Sequence, residues 1–423
     1  MKIVSAEQAV AGIRSGEQLF VQGGAATPSV LLQALVARAD ELHDVSIIHF
    51  HTEGPAPHLE PEMAGHFRHK ALFIGANARL AVNEGRADYI PVFLSDVPGL
   101  FASDTLPLNE VLINVSPPDA HGFCSLGTSV DATLAAVRNA QSVIAQVNRC
   151  VPRTLGDTFI HVDEIDLGVE VEQPLHEHAD EPIGPEERRI GEYVASLVPD
   201  GATLQLGIGS IPSAVCAALA SKRDLGIHSE LFTDAVLDLV EGGAITGSAK
   251  EVNRGKMVAT FLIGTKRLYD FVDDNPLVEL RPVDYTNDTA VIRRFSRMTA
   301  INSALQIDLT GQVSADSIGP RFYSGVGGQM DFIRGAALAD EGRAIIALPA
   351  TARGGSVSRI QPYLSEGAGV VTTRAHVRTV VTEFGIAELH GRTVGERARA
   401  LIAIADPRFR DELTAAARAA HYF

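Results

Sequence analysis

The chain has 423 residues, 46% hydrophobic and 21% charged, a normal globular balance in a length that about two or three domains account for. Its formal net charge of −16 excludes a nucleic-acid partner, because phosphate backbones are bound by basic faces. Any anionic ligand must be held by local donors, such as backbone amides or a few Arg, against an unfavourable overall field.

Taken in order, the N-terminus lacks the apolar core of a signal segment, and no stretch approaches the roughly 18–20 apolar residues of a membrane span. The first clear unit runs from Ser15: a buried strand, a Gly-rich turn (GGAATP, Gly23–Pro28), and an amphipathic helix over Val30–Arg38. A strand carrying His49 follows, with His49 and His51 on one face, and it leads into His51-Thr52-Glu53. Further on come the apolar segments ALFIGANARLAV from Ala71 and INVSPPDAHGFCS from Ile113, a helix over Ala132–Arg138, and the strand SVIAQV from Ser142. The polar, Pro-containing stretch His176–Arg189 reads as a linker. It separates expected domains at residues 1–180 and 187–423.

Beyond the linker the pattern restarts. DGATLQLGIGSIPSAVCAALASK from Asp200 repeats the strand, Gly turn, Pro and helix of the first half, with Pro212 answering Pro28 and a helix over Val215–Lys222. TFLIGTKRLYDFV from Thr260 answers ALFIGANARLAV, setting Gly264 opposite Gly75. INSALQIDLTGQVS from Ile301 answers INVSPPDAHGFCS, setting Asn302 opposite Asn114, and AIIALP from Ala344 answers SVIAQV. Four anchors in one order, at a period of roughly 190 residues, point to an internal duplication. Strands alternating with helices imply mainly parallel sheets with helices on both faces. Ligands of such sheets gather at strand C-terminal ends, so a site fed by both halves at their cleft is expected.

Several chemistries are excluded or weak. Cys124, Cys150 and Cys216 are too few and too scattered for a disulfide framework, which fits a reducing cytoplasm. No P-loop and no G-x-S-x-G elbow occurs, and LGIGSIP (Leu206–Pro212) is not a dinucleotide fingerprint. Histidines cluster at His43, His49, His51, His58, His66 and His69, but no ligand motif completes a metal site, so no metal is expected. What remains are Gly207 and Gly209, whose amides suit an anion or carbonyl, the GVGGQMDF loop (Gly325–Phe332), which permits close backbone approach, and Arg353 and Arg359 bracketing Gly354 and Gly355. There are also two strand-end acids in echoing contexts: Glu230 in GIHSELF and Glu53 in IHFHTEG. Periodicity does not choose between them.

GGAATP, HTEGPAP, INVSPPDAHGFCSLG, GIHSELFTD, INSALQIDLTGQVSAD, SGVGGQMDF and TEFGIAELHGRT, spread over nearly the whole chain, resemble the acetyl-CoA hydrolase/transferase family of class I CoA-transferases, most of all its 4-hydroxybutyrate CoA-transferase branch. The resemblance implies two duplicated α/β/α domains of the NagB/RpiA/CoA-transferase type with the active site at their interface. It also implies CoA transfer between a short-chain acyl-CoA and a carboxylate acceptor such as acetate, through a glutamyl-CoA thioester. Acyl-CoA hydrolysis, or transfer to a dicarboxylate such as itaconate or succinate, are the alternatives. Glu230 is implied as nucleophile, ionised at pH 7 if its pKa is the ordinary value near 4.3. Asn302 and a loop amide, Gly327 or Gly328, match oxyanion-hole positions. CoA-binding segments match Gly207, Ile208, Gly209, Ser210 and Ile211, then Gly325 and Gly327, then Ala350, Arg353, Gly354 and Gly355. Gly24, Glu53 and Gln329 are assigned to the acyl pocket. No tightly bound cofactor, no nucleic acid and no membrane are expected, and relatives suggest a homodimer or dimer of dimers.

Overall fold

In the computed structural model, which describes residues 1–423, the chain divides into two compact units. One comprises Met1–Ala179 with Val258–Thr286, and the other Asp180–Met257 with Asn287–Phe423. Two continuous domains at 1–180 and 187–423 therefore do not describe the chain, because Val258–Thr286 returns to the first unit. Its attachments explain this. Val130 N–H donates to the Thr260 carbonyl at 3.0 Å and Val283 N–H to the Asp131 carbonyl at 3.1 Å, while Arg281 Nη1 meets Asp157 Oδ2 at 2.9 Å.

The first unit holds eight parallel strands: β1 (Lys2–Ile3), β2 (Gln18–Val21), β3 (Val45–His49), β4 (Phe67–Ala71), β5 (Asp88–Tyr89), β6 (Leu108–Val115), β7 (Ala140–Asn148) and β8 (Leu167–Val171). They lie in the order β1-β8-β7-β6-β2-β3-β4-β5. Central strands such as Leu19-Phe20-Val21 are apolar on both sides, as a doubly covered parallel sheet requires. Helix α1 (Ser29–Val36) buries Leu31, Leu32 and Leu35 against Leu19, Leu112 and Ile144.

The second unit holds β9 (Thr203–Gln205), β10 (Gly226–Ile227), β11 (Met298–Ser303), β12 (Arg343–Ala347), β13 (Thr379–Thr382) and β14 (Gly385–Glu388). Their order is β10-β9-β11-β12-β13-β14, parallel except for the final hairpin of β13 and β14. Helices α2 (Pro185–Leu197), α3 (Ser210–Ala218), α4 (Asp234–Glu241) and α5 (Gln329–Leu338) belong to this unit.

Five strands of each unit share one topology: β8-β7-β6-β2-β3 in the first and β13-β12-β11-β9-β10 in the second. Three sequence anchors fall on equivalent strands, namely β2 with β9, β6 with β11, and β7 with β12. The fourth does not. Phe261–Leu262 is no strand of the six-stranded sheet and lies in the segment that joins the first unit, so Gly264 is not the counterpart of Gly75. Residues between β8 and α2 form no regular element, and no helix is long and apolar enough to cross a membrane.

Candidate active site

Glu230 follows β10, the strand beside the one that ends in the LGIGSIP turn. Two preceding side chains anchor it. The Ser229 hydroxyl donates to the Leu206 carbonyl at 3.1 Å and accepts from the Leu206 N–H at 3.3 Å, which hooks the segment to the turn after β9. His228 is fully buried and its ring packs 4.7 Å from Phe295 and 6.3 Å from Phe332.

The carboxylate then meets three neighbours. Asn287 Nδ2 donates to Glu230 Oε2 at 3.1 Å and to Asp331 Oδ2 at 3.2 Å, and the Gly328 amide also donates to Glu230. A β-carbon at position 328 would run into Glu230 Oε2 and Asn287 Nδ2. Gly328 has φ −96°, a value open to any residue, so space and not backbone conformation demands glycine there.

These surroundings set the charge of Glu230. Burial disfavours the carboxylate most, the Asn287 hydrogen bond opposes this, the Asp331 charge disfavours it again, and the Gly328 amide opposes; the net result is a pKa raised to about 7. The ordinary value expected from sequence is thus corrected. Near pH 7 about half the carboxyl groups carry the charge, and a carboxylate of higher basicity is a better nucleophile once ionised.

The other expected residues fall into separate environments. Asn302, at the end of β11, pairs with Gln205 of β9: its Nδ2 donates to Gln205 Oε1 at 2.8 Å, and Gln205 Nε2 returns the bond at 3.4 Å. Its amide is therefore held by Gln205 and not by Glu230. In the turn, Gly207, Gly209 and Ser210 are partly exposed, Ile208 is exposed and Ile211 is buried. Gly209, with φ 101°, starts α3, which leaves the first amides of the helix without helical partners. Gly325 is buried, Gly327 has φ 56°, and Gln329 Nε2 donates to Thr372 Oγ1 at 3.0 Å. Ala350 N–H donates to Glu383 Oε2 at 2.8 Å. Arg353, Gly354 and Gly355 take successive positive φ values of 52°, 65° and 85° in an exposed to half-buried turn. The structure brings Glu230 and Gly328 into contact, and it pairs Asn302 with Gln205, Gln329 with Thr372 and Ala350 with Glu383.

Glu53 occupies the matching place in the first unit, after β3. The Gly24 N–H donates to the His51 carbonyl at 2.6 Å, so the turn after β2 grips this segment as Leu206 grips Ser229. The carboxylate environment is nevertheless opposite. His51 Nε2 meets Glu53 Oε1 at 2.6 Å and His178 Nδ1 lies 4.0 Å from Oε2. Burial alone would raise the Glu53 pKa, but the His51 hydrogen bond and the charges of His51, His178 and His176 outweigh it and the net shift is downward. His176 and His178 come from the expected linker, which therefore also lines this acid; His176 Nε2 reaches Ser29 Oγ at 3.0 Å.

β3 ends at His49, so His49 and His51 do not share a strand face as expected. His49, His58 and His69 are buried, with His58 Nε2 at 3.0 Å from His69 Nδ1. Burial holds all three neutral, pushing His49 down to about 4 and His58 to about 3.

Model matches cover both units: the acetyl-CoA hydrolase/transferase N-terminal domain over residues 1–175 and the corresponding C-terminal domain over residues 264–417. The 4-hydroxybutyrate coenzyme A transferase of Clostridium kluyveri is 50% identical across 97% of this chain and 96% of its own. The chain belongs to the acetyl-CoA hydrolase/transferase family. Within this family it is also 48% identical to the succinyl-CoA:acetate/propanoyl-CoA:succinate CoA transferase of Fasciola hepatica, over 96% of this chain and 85% of that one. RipA from Yersinia pestis superposes with a TM-score of 0.94 at 37% identity, covering 100% of this chain and 98% of its own. The family expected from the motifs, and an enzyme of transferase type, are thereby established. Asn287 went unread in the sequence because a lone Asn far from any motif carries no signal. Asp331 was visible only as the acid of GVGGQMDF.

Proposed function

We propose that this transferase moves CoA between a short-chain acyl-CoA and a carboxylate acceptor such as acetate, with Glu230 as the nucleophile and 4-hydroxybutyrate, butyrate and acetate as the substrate type. The observation that carries the reading is the pairing of Glu230 with Asn287 and Gly328. A half-buried carboxylate of raised basicity stands against two donors, the Asn287 side chain and the Gly328 amide.

In this reading Glu230 attacks the acyl-CoA thioester carbonyl, forming an acyl-glutamyl anhydride and releasing CoA thiolate. The thiolate then attacks the glutamyl carbonyl, giving a glutamyl-CoA thioester and the free acid. An incoming acid reverses both steps and leaves as the new acyl-CoA. This is covalent catalysis with ping-pong kinetics, and the thioester energy is kept. Asn302 stabilises the oxyanion on the substrate side, and Gln205 presets its amide. The turn Gly207–Ile211, the loop at Gly325 and Gly327, and Ala350 with Arg353–Gly355 hold CoA, while Gly24, Glu53 and Gln329 line the acyl pocket. Glu53, whose Oε1 is engaged by His51 Nε2 at 2.6 Å, suits recognition of a polar acyl group better than attack. The reading includes a cytoplasmic homodimer or dimer of dimers.

The test is acyl-CoA incubated with and without acetate, read as thiol release, acetyl-CoA formation and protein mass. Acetyl-CoA formation with a CoA adduct at Glu230, both lost in Glu230→Ala, is the expected result. Thiol release undiminished by acceptor, with no new acyl-CoA, identifies a hydrolase and overturns the proposal.

A further inference from the structure

The two arginines that bracket Gly354 and Gly355 in sequence do not act as a pair in the structure. Residues 353–356 close a hairpin between Thr351–Ala352 and Val357–Ser358. Arg359 is half-buried beyond it and bonds to backbone. Its Nε donates to the Thr351 carbonyl at 3.2 Å, and its Nη1 to the Ala304 and Leu305 carbonyls at 3.4 Å and 3.3 Å. Those bonds hold the hairpin to the residues after β11, so Arg359 serves the fold. Arg353 is exposed at the tip and joins no ion pair. Arg408, distant in sequence, takes the place beside the turn that Arg359 leaves. A β-carbon on Gly355 would stand 2.9 Å from Arg408 Nη2 and 3.3 Å from Nη1, so the guanidinium rests on bare backbone that glycine leaves open. Asp406, 7% exposed, holds it there by accepting from Nε at 3.0 Å and from Nη2 at 2.7 Å.

We propose that Arg408 and Arg353 bind a phosphate of the CoA carrier at this turn, and that Arg408 thereby distinguishes CoA from its unphosphorylated pantetheine arm. The inference rests on CoA transfer as proposed above. A guanidinium carries five N–H donors in one plane. Asp406 takes two of those on Arg408, one from Nε and one from Nη2, and this bidentate grip fixes the plane. Three donors remain, on a side chain 62% exposed, in the planar fork that matches phosphate oxygens. Arg353, Gly354 and Gly355 all lie in the left-handed region, and a turn of successive amides of this kind forms an anion-binding concavity. Apart from its chain neighbours, no atom stands within 4 Å of a β-carbon position on Gly354, so the tip is open to a ligand. Charge explains why two arginines are needed. Asp406 balances Arg408, and Glu186 in the first turn of α2 also acts on it. Arg353 supplies the charge left over, in a chain whose formal net charge of −16 gives an anion no general attraction.

The experiment measures kcat/KM with acetate as acceptor for butyryl-CoA, butyryl-dephospho-CoA and S-butyryl-pantetheine, in wild type, Arg408→Ala and Arg353→Ala. The quantity read is the preference for butyryl-CoA over S-butyryl-pantetheine, the ratio of their kcat/KM values. Arg408→Ala lowers this preference by roughly tenfold or more, the usual loss for a hydrogen bond to a charged group, and Arg353→Ala lowers it in the same direction. Butyryl-dephospho-CoA separates the two sources of phosphate. If its kcat/KM falls as that of butyryl-CoA does, Arg408 binds the diphosphate; if only butyryl-CoA is affected, Arg408 binds the 3′-phosphate. Both results support the site. Circular dichroism checks each fold; if Arg408→Ala, which leaves Asp406 without its partner, does not fold, Arg353→Ala decides the matter, since it breaks no ion pair. A preference within twofold of wild type in the folded variant, including an equal loss on both substrates, overturns the inference and leaves CoA transfer standing. A wild type that makes no acetyl-CoA from butyryl-CoA and acetate overturns the proposed transfer, and the inference with it.

Discussion

Glu230→Gln removes the buried charge while preserving size, and its effect on stability follows from linkage. In the folded protein the Glu230 pKa is raised from 4.5 to about 7, chiefly by burial. A raised folded value means that the folded state retains a proton which the unfolded chain has released. Stability from this group is therefore fully present below the unfolded value and is lost as pH rises through about 7. A shift of about 2.5 units at 1.36 kcal/mol each gives a loss of about 3 kcal/mol, complete by about pH 8. Gln carries no proton to lose, so the variant escapes this cost. For a unit of roughly two hundred residues, about 2–4 °C per kcal/mol makes the gap in melting temperature between Glu230→Gln and wild type grow by roughly 6–12 °C from pH 4.5 to pH 8. Differential scanning fluorimetry across that range measures it. A gap that stays flat with pH refutes the raised pKa, and with it the account of Glu230 as a basic nucleophile.

Other predictions address neighbouring features. Gly328→Ala places a methyl group against Glu230 Oε2 and Asn287 Nδ2; transfer falls at least roughly 10²-fold in a protein whose circular dichroism is unchanged. The neutral histidines act with the opposite sign to Glu230. Their folded pKa values lie below the unfolded value of 6.5, so stability is eroded as pH falls below 6.5 toward about 4, by up to about 1.4 kcal/mol per unit for each group. His49→Gln flattens the dependence of melting temperature on pH in that window. Glu53→Gln retains the glutamyl-CoA adduct, seen by mass spectrometry, and changes the ranking of acceptor acids in a competition assay.

Local signals explain what was legible in the sequence. The strand, Gly turn and helix around Gly23 and Gly207 follow from contiguous residues, so the duplicated sheet topology was readable from Pro28, Pro212 and the apolar runs. The acid after β10 was readable too, as one of two. What separates Glu230 from Glu53 is not local. His178 reaches Glu53 from a stretch more than a hundred residues away, and Asn287 reaches Glu230 through the contact of Ile292 with Gly335. The pKa of Glu230 was misjudged for the same reason, since desolvation belongs to packing and not to neighbours in sequence. The pairing of TFLIG with ALFIG matched composition but not topology, because three apolar residues before a glycine specify a strand without specifying its sheet.

The return of Val258–Thr286 to the first unit has a consequence for biogenesis. As the chain leaves the ribosome, the first unit cannot close until residue 286 has emerged, by which time Asp180–Met257 of the other unit is already out. The two halves cannot mature strictly one after the other, and a fragment ending at residue 180 lacks Arg281, the partner of Asp157, and the backbone partners of Val130 and Asp131. Separate expression of two continuous halves should yield insoluble or partly folded material. A rearranged gene that joins residues 258–286 to 1–179 supplies the missing piece of the first unit.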